Sequence, residues 1–111
     1  MMKRCSVWWV KFGDYSSHIQ GGIRPAVILG NRKALKYGTT ITVIPVTGQI
    51  KRKDMQAHVI GVNRKSQKPC MALCEQITTV AKESILGPAQ YIIFNPDSID
   101  KAVKEELGLE I

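Results

Sequence analysis

Residues 20–30 read QGGIRPAVILG, and this stretch decides how the chain can fold. Two glycines precede Arg24, a proline follows it, and an apolar run comes next. The run predicts a buried strand over residues 24–30. Glycines let the backbone approach a ligand closely, and Pro25 stiffens the turn into the strand. We therefore expect Arg24 to be held in a fixed orientation at the mouth of this strand.

Outward from this stretch, four more runs rich in β-branched, aromatic and other apolar residues predict strands. These strands are expected over residues 5–12, 39–47, 55–62 and 70–80. Pro45 lies inside the second of these runs and requires a sheet edge or a bulge, because proline has no N–H to donate. Polar, glycine-bearing residues 13–23 predict a loop. Residues 31–38, closed by Gly38, predict one short helical turn.

The C-terminal segment differs from the rest. Asn95 is a helix-cap candidate and Pro96 suits the first helical position. Apolar residues then follow with helical spacing up to Gly108, which ends the helix. Short strands followed by one amphipathic helix predict a mostly β (α+β) fold, a small barrel packed by a terminal helix.

The length of 111 residues predicts a single domain over residues 1–111. No apolar run is long enough for a membrane span, and Lys11 breaks the N-terminal apolar segment, which argues against a signal peptide. Cys5, Cys70 and Cys74 form an odd set without zinc-ligand spacing, so we expect no metal and no cofactor. Free thiols are typical of a reducing cytoplasm.

The net charge of +7 is unevenly distributed. Residues 97–111 hold five carboxylates and two lysines, a net charge of −3, so the other 96 residues carry +10. A basic body of this size suits a polyanion such as nucleic acid, through phosphate contacts. A basic surface that serves only solubility fits the charge equally well.

Four blocks in order carry a family resemblance. They are QGGIRPAVIL (20–29), VIPVTGQI (43–50), HV (58–59) and CEQITTVAK (74–82), before a helix ending in LGL (107–109). Together they resemble the MazF/PemK (Kid) toxins of type II toxin–antitoxin systems, over about residues 7–109.

The resemblance implies an SH3-like barrel of the CcdB/MazF type and a homodimer. It implies sequence-specific, metal-independent cleavage of single-stranded RNA, chiefly mRNA, leaving a 2′,3′-cyclic phosphate and a 5′-hydroxyl. The partner it implies is a cognate acidic antitoxin with a disordered segment that folds on binding.

Carried over residue by residue, the resemblance makes Arg24 and Thr47 the catalytic arginine and threonine. A forked, permanently charged guanidinium suits an anionic phosphorane, and a threonine hydroxyl can donate to a phosphate oxygen. Either Glu75 or His18 could take the 2′-proton. His58 matches the family pattern with no catalytic role assigned.

The expected RNA contacts are Gln20, Gly21, Gly22, Lys51, Arg52 and Gln76. The glycine loop approaches RNA in the family, and Gln76 follows Glu75 on a strand lining the same groove. Lys51 and Arg52 lie in a basic turn that fits phosphates, although such turns are often only solvated.

Two alternatives remain open at this point. A CcdB-like toxin would inhibit DNA gyrase without nuclease activity, but it would need neither Arg24 nor Thr47. A non-catalytic RNA-binding barrel is the other, although its decay should first erode the QGGIRP block, which is intact. The sequence leaves open the cleavage site and the division of acid and base duties.

Overall fold

The computed structural model describes residues 2–13, 21–52 and 54–109. The elements in this part of the chain are β1 (Val7–Phe12), β2 (Gly22–Ile28), α1 (Arg32–Tyr37), β3 (Thr40–Thr47), β4 (His58–Asn63), β5 (Lys68–Leu73), β6 (Thr78–Ala81), β7 (Ile85–Pro88), β8 (Ile92–Ile93) and α2 (Pro96–Leu107). Two short 3-10 turns, Cys74–Gln76 and Lys82–Ser84, flank β6.

The strands form one antiparallel sheet in the order β7-β1-β2-β3-β5-β4-β8, with β6 paired to β3 beside this path. Within the described residues the path ends at β7 and β8 without a ladder joining them. The predicted small barrel is therefore an open, barrel-like sheet. The prediction of a mostly β fold with a C-terminal helix is confirmed.

Strands β1 to β3 bury both faces of the sheet, which explains their nearly continuous apolar sequences. Successive side chains of a strand point to opposite faces. One face carries a first core that includes Val7, Val27, Ile44 and Val46. The other carries a second core that includes Val10, Ala26, Ile28, Ile41 and Val43. Strands β4 and β5 and helix α2 cover the first core, while α1 and β6 cover the second.

Helix α2 forms as its sequence predicts. The Asn95 side chain accepts a hydrogen bond from the Asp97 N–H at 2.9 Å, and Pro96 occupies the first turn. Gly108 ends the helix in the left-handed conformation at φ +68°. Ile99 and Ala102 are buried in the first core. Among the described residues, no helix has the length and apolar character needed to cross a membrane.

Two strand boundaries differ from prediction. Strand β2 begins at Gly22, so Arg24 lies inside the strand and not at its mouth, and Pro25 is paired with Trp9. Strand β4 begins at His58, because the preceding residues form a turn in which the Met55 N–H bonds to the Arg52 carbonyl at 3.0 Å.

Pro45 is buried within β3, where the strand changes partners. On one edge β3 pairs with β6 over residues 40–43 and with β5 over residues 46–47. Pro45 falls between these two ladders on that edge. Proline requires an irregular position in a sheet, and here that position is the point at which β3 changes from one neighbouring strand to the other.

The prediction of one strand over residues 70–80 is wrong, because a 3-10 turn interrupts it at Cys74–Gln76. Val46 pairs with Ala72, and Val43 pairs with Thr78. Between these two pairs there are three residue steps along β3 and six along the chain opposite. The three extra residues leave the ladder in the manner of a large bulge, which we call the 74–76 excursion. Strands β7 and β8 were not predicted, since both are short and β7 contains Gly87 and Pro88.

Candidate active site

Arg24 and Thr47 lie on two neighbouring strands, near the end of the ladder that joins them. The β2–β3 ladder runs from Ile28↔Val43 to Ala26↔Pro45. It ends there, two residues before Arg24 is reached on β2 and Thr47 on β3. Both positions share the face of the second core, since they alternate with Ala26 and Val43. The sheet therefore brings together the two residues that the sequence predicts as catalytic.

The guanidinium of Arg24 is anchored at its base. Its Nε–H donates to the Gly21 carbonyl at 2.8 Å, which fixes the direction of the side chain. Gly22 makes this possible by adopting φ +72°, a left-handed conformation that favours glycine. Arg24 is half-buried and forms no ion pair with a carboxylate of the described residues. The terminal nitrogens are thus oriented donors.

Thr47 is a buried polar residue, with only 8% of the residue's surface exposed. Its Oγ1 accepts a hydrogen bond from the Gln49 N–H at 3.1 Å. Because that bond uses an oxygen lone pair, the hydroxyl proton remains able to donate. At the end of β3, Thr47 can offer this proton to an anion beside Arg24.

Glu75 lies on the 74–76 excursion and pairs with His58 of β4. The distance from Glu75 Oε2 to His58 Nε2 is 2.6 Å. The opposite ring nitrogen, Nδ1, lies 2.8 Å from the Arg52 carbonyl oxygen. The His58 side chain is 6% exposed, and its contact with Glu75 is partly buried, whereas the contact with Arg52 lies at the surface. His58 therefore connects the turn before β4 to the excursion after β5.

The carboxylate of Glu75 is enclosed on both oxygens. Oε2 contacts His58, while Oε1 is buried without a hydrogen-bond partner among the described residues. Burial, together with the charges of Glu75 and Glu106, raises the pKa of the adjacent Cys74 thiol to about 12. Glu75 can accept a proton only from a donor that reaches Oε1 or displaces His58.

The basic turn is partly neutralised. Lys51 and Arg52 are exposed, and Arg52 Nε lies 3.6 Å from Asp54 Oδ1. Arg52 adopts φ +52°, and its carbonyl accepts bonds from both the Met55 N–H and the His58 ring. The backbone of this turn is fixed, while its cationic side chains face solvent.

Sequence reasoning placed most of this site and missed one member. Gly21 and Gly22 lie beside Arg24 as expected, and Gln76 is half-buried next to Glu75, on a turn where a strand was expected. His18 and Gln20 lie outside the described residues.

His58 was left without a role, although its side chain contacts the predicted acid. A scarce histidine on the predicted strand that precedes the one assigned to Glu75 was the available signal.

Fold and site together define a small antiparallel β protein that presents an oriented arginine and a buried threonine on one sheet face. Within the described residues, no group of three or more His, Cys, Asp or Glu side chains could hold a metal ion.

Comparison with known proteins identifies the family. A profile described as "PemK-like, MazF-like toxin of type II toxin-antitoxin system" matches residues 3–108. The chain is 34% identical over 112 aligned residues to a protein named Endoribonuclease MazF from Staphylococcus saprophyticus, covering 98% of this chain and 93% of that one. The protein belongs to the PemK/MazF-like toxin family of type II toxin–antitoxin systems.

Solved structures support the fold. The structure of MazF from Deinococcus radiodurans has a TM-score of 0.74 at 19% identity and covers 97% of both chains. An endoribonuclease in complex with its cognate antitoxin, from a mycobacterial species, has a TM-score of 0.72 at 16% identity and covers 100% of this chain and 99% of that one. At these identities the likeness concerns the fold.

Proposed function

We propose that residues 1–111 form a single toxin domain that cleaves single-stranded RNA without a metal ion at a short recognition sequence. The products would be a 2′,3′-cyclic phosphate and a 5′-hydroxyl. The observation that carries this proposal is the presence of Arg24 and Thr47 on one face of neighbouring strands, with the guanidinium anchored on Gly21 and no ion pair to a described carboxylate.

The chemistry fits these two side chains. The 2′-hydroxyl loses its proton and its oxygen attacks the adjacent phosphorus, the bond from phosphorus to the 5′-oxygen breaks, and the departing 5′-oxygen takes up a proton to become the 5′-hydroxyl. Negative charge grows on the nonbridging oxygens in between, so preorganised donors lower the barrier. Arg24 supplies a charged fork, and the Thr47 hydroxyl supplies a neutral donor. Because the substrate carries its own nucleophile, the reaction needs alignment and proton transfer more than an activated water.

The proton of the 2′-hydroxyl goes to one of two candidates, Glu75 or His18. The Glu75 carboxylate is sheltered by His58 in the free protein, so its use requires RNA to open that contact. Comparing Glu75→Gln and His18→Gln distinguishes them, since the true acceptor's variant loses turnover while keeping RNA affinity.

RNA recognition is proposed for Gln20, Gly21, Gly22, Lys51, Arg52 and Gln76. The glycine backbone lets a splayed nucleotide approach, while the two basic side chains meet phosphates. The net charge of +7 supports a polyanionic ligand, and mRNA is the proposed target.

The proposed partners follow from family and charge. The Staphylococcus relative is named an endoribonuclease, and one structural neighbour is a complex with its cognate antitoxin. We propose an acidic antitoxin whose disordered segment folds over the basic groove and competes with RNA. We also propose a homodimer, in the cytoplasm, where the free thiols of Cys5, Cys70 and Cys74 would stay reduced.

The test is incubation of the purified protein, in EDTA, with a long defined single-stranded RNA. Primer extension maps the 5′ ends, and phosphatase resistance that acid treatment abolishes identifies the cyclic phosphate. Discrete cuts at one recurring motif are expected. Intact RNA would overturn the proposal and leave the gyrase-inhibitor and RNA-binding readings, which DNA supercoiling and RNA-binding assays separate.

A further inference from the structure

We propose that His58 is a positioning residue that shares a single proton with Glu75 and clamps the turn carrying Lys51 and Arg52 to the 74–76 excursion. The part of this inference that concerns catalysis rests on the proposed ribonuclease function. The proton-sharing contact itself stands on geometry alone.

The tautomer of His58 is fixed by its partner at Nδ1. A backbone carbonyl can only accept a hydrogen bond, and the Arg52 oxygen lies 2.8 Å from Nδ1. Nδ1 therefore carries a hydrogen. The same carbonyl also accepts from the Met55 N–H, so the ring is built into the turn that precedes β4.

The hydrogen bond at Nε2 then involves one proton that either the His58 ring or the Glu75 carboxyl can carry. A distance of 2.6 Å between Nε2 and Glu75 Oε2 requires one hydrogen between the atoms, on either the ring or the carboxyl. The pair is thus imidazolium with carboxylate, or imidazole with carboxylic acid. A second proton would leave two donors facing each other, and removal of the shared one would leave two acceptors.

Several charged groups surround this pair. Arg52 and Asp54 lie on the turn before β4, and Lys101 and Glu105 of α2 line the groove that His58 borders. Glu106 of α2 also acts on Cys74, next to Glu75. Cations and carboxylates thus flank the pair from both packed elements. The pH range of the contact reflects all of them, and the pair's geometry decides that one proton is shared.

The two ring nitrogens of His58 therefore have different roles. Through Nε2, His58 fixes the carboxylate of a candidate proton acceptor. Through Nδ1, it fixes the backbone of a turn proposed to bind phosphate. Losing the first contact should lower kcat, whereas losing the second should raise KM for RNA.

The first test is a nitrogen-detected NMR titration of the free protein. The chain has two histidines, so His18→Gln assigns the remaining ring signals to His58. We expect Nδ1 to remain protonated throughout, in the wild type and in Glu75→Gln, and the signal of Nε2 to change in Glu75→Gln. An Nδ1 that is unprotonated at neutral pH, or a titration unchanged by Glu75→Gln, would overturn the proton-sharing contact whatever the protein does to RNA.

The second test separates the two contacts with two variants. His58→Gln keeps a donor near the Nε2 position, and His58→Asn keeps one near Nδ1. Ser98→Ala, in the same groove, is the control for general disturbance. We expect His58→Asn to lower kcat by about tenfold, the low end of what losing an outer-shell partner costs. His58→Gln should chiefly raise KM.

The outcomes are distinguishable. Equal losses in both variants, with Ser98→Ala unchanged, would contradict the different roles of the two nitrogens. A cleavage pH profile whose shape survives in His58→Asn would contradict the link between the shared proton and turnover. Absence of cleavage in the wild-type protein would overturn both the catalytic part of this inference and the proposed function. The NMR result would still decide the proton-sharing contact.

Discussion

Replacing Arg24 by alanine removes the donors that we assign to the phosphorane. The Nε–H is already used by the Gly21 carbonyl, so the terminal nitrogens are what the substrate can meet. Hydrogen bonds to charged groups contribute about 1.5–3 kcal/mol each, and a two-bond fork gives about 3–6 kcal/mol. Because the side chain is half-exposed, we take the low end, about 3–4 kcal/mol. One factor of ten corresponds to about 1.4 kcal/mol, so single-turnover cleavage should fall ~10²–10³-fold.

The assay is cleavage of one end-labelled RNA that contains the mapped site, with enzyme in excess at fixed ionic strength. Arg24→Lys keeps the charge but loses the fork and the Gly21 anchor, so its rate should lie between wild type and Arg24→Ala. Lys11→Ala is the matched control, since Lys11 is exposed and lies on the neighbouring strand with its side chain on the other sheet face. Cleavage by Arg24→Ala within threefold (about 0.7 kcal/mol) of Lys11→Ala would refute the assignment.

Three further predictions concern stability. Burial raises the pKa of Cys74 from 9.0 to about 12, so above about pH 9 the unfolded chain releases a proton that the folded chain retains. The free energy of unfolding from urea titrations should therefore fall with rising pH, by up to about 1.4 kcal/mol per unit from this thiol, and less steeply in Cys74→Ala. Gly61→Ala places a methyl 2.5 Å from the Ile93 carbonyl and should cost about 3 kcal/mol in the same titration, whereas Gly87→Ala, with open space, should cost under about 1. Asn95→Ala removes the α2 cap and should lower the free energy of unfolding by about 1 kcal/mol, and an unchanged value would contradict the cap's contribution.

Local chemistry predicted the parts of the fold that neighbouring residues determine. Helix α2 carries its own cap, first-turn proline and terminal glycine, so its limits were readable. Strands β1 and β3 were readable because both of their faces are buried. Strands β7 and β8 gave little local signal, since they exist through their ladders to β1 and β4.

In the candidate site, too, some features follow from neighbouring residues and others depend on how the strands pair. Arg24 and Thr47 stood out in their sequence blocks, and the β2–β3 register explains why they belong together. The pairing of Glu75 with His58 could not be predicted from a continuous strand over residues 70–80. It depends on a change of sheet partner that removes three residues from the ladder. Such a change is set by the whole sheet and has no signature in the residues themselves.

The 74–76 excursion has a consequence for how such a protein can vary over evolutionary time. On a strand, a substitution must suit the pleat and both neighbouring strands. Residues 74–76 lie between two ladders with β3 and carry no ladder pairing of their own in the described sheet. A substitution at Gln76 therefore does not have to fit the pleat of β5 or β6. On the proposed assignment of Gln76 to RNA recognition, substrate preference can change at this position while the register of the sheet is kept.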